Sequence, residues 1–175
     1  DGARVPPKKE YPGARGAPVD FSGLPGRIAW VVGASMMIRR EVFERVGGFD
    51  PDFFLYGEET DLCLRIRQAG FTIGYVDEVE VAHIGGVSEG RTPTYDLQVQ
   101  RQKGLHRLYR KHYPPEAVLH ILRRDLCRSR CRLALHTLKG RVFGMSEATR
   151  ENCERYRAIC DSCSRFLSAT EERTG

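Results

Sequence analysis

Three carboxylates, Glu58, Glu59 and Asp61, crowd the start of a predicted helix, directly after the Gly-rich aromatic loop that runs from Gly47 to Gly57. The positive end of a helix dipole favours acids there, yet neighbouring carboxylates repel one another, which raises the proton affinity of at least one. A carboxylate of that kind can take a proton from a hydroxyl. A second reading needs no chemistry: the acids cap the helix and Asp61 pairs with Arg65 one turn on, a contact worth about 0.2–0.5 kcal/mol. Spacing alone leaves both readings open.

The elements that must carry these groups follow from periodicity and punctuation. Ile28 to Met37 reads as a buried strand running into a Gly33-Ala34 loop, and Arg40 to Val46 as a short helix stopped by Gly47. Glu58 to Ala69 reads as a helix with Leu62, Cys63, Ile66 and Ala69 on one face and Gly70 as its stop. Phe71 to Val76 and Glu78 to Ile84 read as strands, and Met36 and Met37 as core. Asp50-Pro51-Asp52 follows glycines, not a hydrophobic strand, so it reads as a turn that presents Phe53, Phe54 and Tyr56. Trp30 is either core packing or an apolar platform for a sugar. His83, after the β-like run Val79-Glu80-Val81-Ala82, is either a hydrogen-bonded structural residue or a metal ligand.

A set of motifs in fixed order surrounds the acids. They are Gly33-Ala34-Ser35-Met36-Met37-Ile38-Arg39-Arg40-Glu41-Val42-Phe43, Val46-Gly47-Gly48-Phe49-Asp50, Phe54-Leu55-Tyr56-Gly57-Glu58-Glu59-Thr60-Asp61-Leu62-Cys63-Leu64-Arg65, Gly70-Phe71 and Val81-Ala82-His83-Ile84-Gly85-Gly86-Val87-Ser88. Together they resemble the acceptor-side half of rhamnosyltransferase-like family 2 glycosyltransferases of the GT-A fold. The resemblance implies transfer of a sugar from a nucleotide-diphosphate donor to an acceptor hydroxyl with inversion, in the synthesis of a cell-surface polysaccharide or glycolipid. Its acceptor would be a saccharide or a lipid-linked group.

In such enzymes the second acid of the pair before the helix is the base, which here is Glu59. The family most often has Asp at that place; Glu is one methylene longer, and about 1 Å of misplacement can cost on the order of 10²-fold in rate. The resemblance puts Gly33, Ala34, Trp30, Tyr56, Glu58 and Asp61 on the acceptor side, Asp61 being also a candidate for orienting the helix. His83 would complete the coordination of a divalent ion, Mg2+ or Mn2+, that bridges the donor phosphates, and imidazole suits Mn2+ better. Gly85, Gly86 and Ser88 would form a loop beside those phosphates.

The expected fold class is α/β, a partial GT-A fold with a C-terminal helical extension. Residues 1–27 are rich in Gly, Pro and charge and read as a loop-like segment, 28–104 as the acceptor-side half, and 105–175 as a basic helical tail. No phosphate-cradling Gly loop or strand-terminal Asp-x-Asp is legible. The nucleotide-binding half is therefore expected to lie outside this sequence, and the isolated piece to be inactive by itself. That keeps a second class open: a non-catalytic remnant, or a module that binds a membrane or a partner.

The chain has 175 residues, 41% of them hydrophobic, enough for a real core, and a net charge of +5. No apolar run reaches the roughly 18–20 residues that span a bilayer, and no signal segment opens the chain. Six cysteines without paired zinc spacing point to a reducing compartment. The expected location is the cytoplasm, free or peripheral on the inner face of the plasma membrane.

Between Arg101 and Arg141 the basic side chains face only two acids, Glu116 and Asp125. Val118, Leu119, Leu122, Leu126 and Leu133 fall on one helical arc, with Arg123, Arg124, Arg128 and Arg130 largely off it. Such a helix can pack its apolar face on the domain with its arginines in water, or lie on an anionic membrane surface. Nucleic acid is not an expected partner, because no helix-turn-helix, zinc-finger or RNA-binding aromatic motif accompanies the charge. A last helix is expected from Glu147 to Ala169, with Tyr156, Ile159, Cys160, Cys163, Phe166 and Leu167 at helical spacing and the cysteines as small core residues.

Overall fold

The computed structural model describes residues 6–53, 55–79, 81 and 93–174, with side chains as far as residue 170. The described residues form helices α1 (Arg40–Arg45), α2 (Glu58–Gln68), α3 (Thr94–His112), α4 (Pro115–Phe143) and α5 (Glu147–Thr174). The chain divides into two compact units, Asp1–Ser88 and Glu89–Gly175. α3 therefore belongs to the second unit, although its first residues precede the boundary at 104 read from the sequence.

In the first unit, α1 and α2 end in the same way. Gly47 and Gly70 take positive φ of 80° and 91°, which a Cβ would resist. The N–H of Gly47 donates to Glu44 O and that of Gly48 to Phe43 O, at 3.1 and 2.9 Å; Gly70 donates to Arg67 O and Phe71 to Ile66 O, at 3.0 and 3.2 Å. Both are Schellman closures that satisfy the last carbonyls of each helix. Between the helices Val42, Leu62 and Ile66 form a small core, covered by Ile38, Phe43, Val46 and Phe71.

The strands expected over Ile28–Met37 and Phe71–Val76 do not form, and the part of Glu78–Ile84 that is described is also irregular. Among the described residues the pairing is limited to one antiparallel bridge, Lys8 with Trp30. A strand exists only by virtue of its neighbour, and these segments have none here to complete a ladder. Met37, expected in the core, is 100% exposed, and Met36 is half-buried.

The second unit is a helical assembly in which α5 packs along both α4 and α3, while α3 and α4 touch little. Pro114 and Pro115 separate α3 from α4, the second proline sitting in the first turn where its missing N–H is harmless. Ser146 opens α5, its Oγ accepting the N–H of Thr149 at 3.3 Å. Leu108, Ala117, Val118, Ile121 and Leu122 are buried with Ala158, Cys160 and Cys163 of α5. The buried arc of α4 is the expected one at Val118 and Leu122, and the α5 cysteines are core residues as expected.

Candidate active site

The Gly33-Ala34 loop and the first turn of α2 are neighbours in space. A Cβ built on Gly33 would stand 3.5 Å from Glu59 Cβ and 3.9 Å from its Cγ, so this exposed glycine faces the Glu59 side chain directly. Two residues earlier the Val31 backbone lies beside the Cys63 thiol, one turn along α2. The segment from Val31 to Gly33 thus runs along α2 over Glu59 and Cys63.

The chain enters α2 through a strained bend. Tyr56 has φ 67°, the one non-glycine residue with positive φ among those described, and Gly57, the N-cap, has φ 99°. Left-handed backbone at a bulky residue costs on the order of 1–3 kcal/mol and gathers at functional sites. The bend sends Glu58, Glu59 and Asp61 into the first turn without a side-chain cap.

The three acids then meet different surroundings. Glu59 is half-buried, and its carboxyl is held above the usual glutamate range, first by burial and further by the Glu58 charge. The backbone N–H groups of Glu59 and Gly57 pull the other way, favouring the ionised form. Glu58 is half-buried too, and its Oε2 is shut off from water with no hydrogen-bond partner. Such an orphaned oxygen is expensive to keep.

Asp61 differs. Its side chain has no exposed surface, and Oδ2 accepts Arg65 Nε at 2.8 Å and Nη2 at 2.7 Å. The same guanidinium donates to Val46 O and, at 2.7 Å, to Gly48 O. Asp61 therefore holds Arg65, and Arg65 holds the Gly47-Gly48 turn. Fully buried and paired with Arg65, Asp61 presents no surface to an incoming molecule, unlike the acceptor contact the resemblance implies for it.

Of the other expected residues, Ala34 is exposed beside Gly33. Trp30 is half-buried and tied back to the N-terminal segment, its indole N–H donating to Glu10 O at 3.1 Å. Asp50 Oδ1 accepts the N–H of Asp52 at 2.9 Å, closing the turn as expected for Asp50-Pro51-Asp52. His83, Gly85, Gly86 and Ser88 lie outside the described residues. Among the described residues no three His, Cys, Asp or Glu side chains converge to hold a metal.

Sequence reasoning missed Arg67. This buried guanidinium donates to Pro25 O at 2.9 Å, Leu24 O at 3.1 Å, Gly26 O at 3.0 Å and Tyr11 Oη at 3.0 Å, and lies over the Tyr11 ring. It fastens the N-terminal loop to the last turn of α2, where the dipole favours a cation. The one available signal was a charged residue directly after Ile66, on the edge of the apolar face. A groove of about 540 Å³ in the first unit is lined by Met36, Ile38, Arg40, Phe43, Glu44 and Phe49 and does not include Glu59. Its one carboxylate, Glu44, is exposed.

Comparison with known proteins gives the family of the chain. Residues 19–108 match the family described as Glycosyl transferase family group 2, and the chain belongs to that family. An N-acetylglucosaminyl-diphospho-decaprenol L-rhamnosyltransferase of Mycobacterium tuberculosis is 40% identical over 70 residues, which cover 40% of this chain and 23% of that protein. Rhamnosyltransferase WbbL of Escherichia coli is 41% identical over 56 residues, covering 32% and 21%. The low-salt glycan biosynthesis hexosyltransferase Agl10 of Haloferax volcanii is 37% identical over 59 residues, covering 34% and 19%. The aligned part thus spans roughly a fifth of each relative's length. No solved structure matches the chain.

Proposed function

We propose that this chain supplies the acceptor side of an inverting sugar transferase of the GT-A α/β fold, with Glu59 as the base that deprotonates the acceptor hydroxyl. The donor is a nucleotide-diphosphate sugar, bound mainly by a lobe outside this sequence. The activities for which the relatives are named point to rhamnose or another hexose as the sugar, and to a lipid-linked saccharide as one class of acceptor. The observation that carries the reading is Glu59 itself. It is half-buried, its carboxyl is held above the ordinary glutamate range, and it faces the exposed Gly33.

In this reading the acceptor oxygen attacks the anomeric carbon as its proton passes to a Glu59 carboxylate oxygen, and the diphosphate leaves from the opposite face. The raised proton affinity suits the step, because a base works best when its pKa lies nearer the working pH. Glu58, its half-buried neighbour in the first turn of α2, is the group proposed to accept a second acceptor hydroxyl. Mg2+ or Mn2+ would supply charge for the leaving diphosphate. His83 is the ligand proposed for it from this chain.

The test is Glu59→Gln in the whole enzyme. Transfer should fall by about 10²–10⁴-fold while donor binding, read by calorimetry, is unchanged. Retained turnover would move the role to another carboxylate. The pH profile gives a second reading: the base must be ionised, so the acid limb of kcat/KM should lie above the ordinary glutamate range.

Stability carries the opposite sign. A raised folded pKa contributes stability that is complete below the unfolded value and lost as pH rises through the folded value. Glu59→Gln should therefore leave Tm unchanged or raised at neutral pH.

A further inference from the structure

The C-terminal half of α4 has two different faces. On one, Ser129 is buried, His136 stacks on Tyr156 with ring centroids 5.6 Å apart, Thr137 Oγ1 lies 4.0 Å from Cys153 Sγ, and Gly140 approaches Thr149. These contacts turn that face toward α5. On the opposite face Cys131, Leu135, Leu138 and Val142 recur at spacings of four, three and four, where a surface helix should be polar. Leu135 is 65% exposed, Leu138 58% and Val142 62%, and Phe143 beyond them is 82% exposed.

The charges around this stripe have one sign. Helical geometry sets Arg128 and Lys139 along one border and Arg130 and Arg141 along the other, all exposed. No acidic residue occurs between Asp125 and Glu147. We propose that this face of α4 docks on a bilayer surface rich in anionic phospholipid. The helix lies in the interface, its leucines among the acyl chains and its flanking arginines and lysine reaching out to the headgroup phosphates.

Competing occupants each satisfy half of the surface. Nucleic acid would engage the arginines but leave the leucines in water. A second copy of the same face would bury the leucines while bringing like charges together. A membrane span is ruled out for these helices, since none among the described residues is long and apolar enough to cross. The inference goes beyond the transfer proposal and does not depend on it.

The experiment is sedimentation of the 175-residue chain with vesicles of phosphatidylglycerol and phosphatidylcholine, against phosphatidylcholine alone, at moderate salt. The chain should pellet with the anionic vesicles and stay in solution with the neutral ones. The triple variant Leu135→Ser, Leu138→Ser, Val142→Ser should lower the partition by about tenfold or more, with helix content by circular dichroism unchanged because these side chains are exposed. Arg128→Glu with Lys139→Glu reads the same surface independently and should remove the preference for anionic lipid. The proposal is overturned if the wild-type chain ignores anionic vesicles or if either variant binds as well as wild type. A vesicle-free dimer that the serine substitutions dissociate would also overturn it. None of these readings needs turnover, so their failure leaves the assignment of Glu59 standing.

Discussion

In the unit Asp1–Ser88 the small apolar core between α1 and α2 is supplemented by long-range polar ties: Arg65 and Arg67 reach from α2 to the carbonyls of Val46 and Gly48 and of Leu24, Pro25 and Gly26. In the unit Glu89–Gly175 the ties are mainly apolar, with Leu108, Ala117, Ile121 and Ala158 fully buried between helices. A loop has no repeating face to bury, so it must be held by its backbone groups, and a guanidinium with several donors can hold several at once. Long helices have such faces and need no clamp. The exposed Gly33 beside Glu59 lies on another loop packed along α2, the same helix that anchors these polar ties.

The comparison can be broken most forcefully at Arg67. Arg67→Ala strands three carbonyls and a tyrosine hydroxyl, and should destabilise the first unit by about 4 kcal/mol or more in urea unfolding. Arg67→Lys should recover little, because one ammonium cannot reproduce the planar fork. Hydrogen exchange of α4 and α5 should stay as in wild type. The matching perturbation is Ile121→Ala, a cavity in a packed helical core, which should cost about 3 kcal/mol and loosen the second unit alone. If Arg67→Ala were silent, or if each change loosened both units equally, the contrast between polar and apolar holding would be wrong.

What the sequence disclosed follows the same division. Helices α1 and α2 were legible because their hydrogen bonds are local and each stops at a glycine whose φ is positive, Gly47 and Gly70. The strands were misjudged at Ile28–Met37 and Phe71–Val76 because an apolar run states only that a segment can be buried, and its ladder depends on residues elsewhere. Met37 shows the same fault, an apolar residue read as core and found in water. At the site, Gly33, Glu58 and Glu59 could be grouped in advance because their motifs occur in order along the chain. The reach of Arg67 across some forty residues to the N-terminal loop leaves no periodic trace. The outward stripe of α4 was obscured because the arc through Val118 and Leu122 already accounted for the helix, and a second apolar face cancels the first in any amphipathic reading.

Two glycines sharpen the comparison at its finest grain. Gly48, in the clamped turn, has φ 66°, and a Cβ there would sit 3.1 Å from the Phe43 ring, whose place is fixed by packing. Gly48→Ala should therefore cost about 1–2 kcal/mol for the left-handed backbone, with crowding added. Gly140, inside α4, carries no positive φ, although a Cβ there would come within 2.7 Å of Met145 Cε and 3.0 Å of its Sδ. Those atoms are the far end of a flexible side chain that is 47% exposed and can swing aside, while Thr149 Cγ2 at 3.5 Å is in ordinary contact. Replacing a helix-interior glycine by alanine gains about 0.8–1 kcal/mol, which offsets the displacement of the methionine. Gly140→Ala should consequently lie within about 0.5 kcal/mol of wild type in thermal unfolding. A large loss there would mean that the α4–α5 crossing depends on a fixed Met145, and that the second unit is held as specifically as the first.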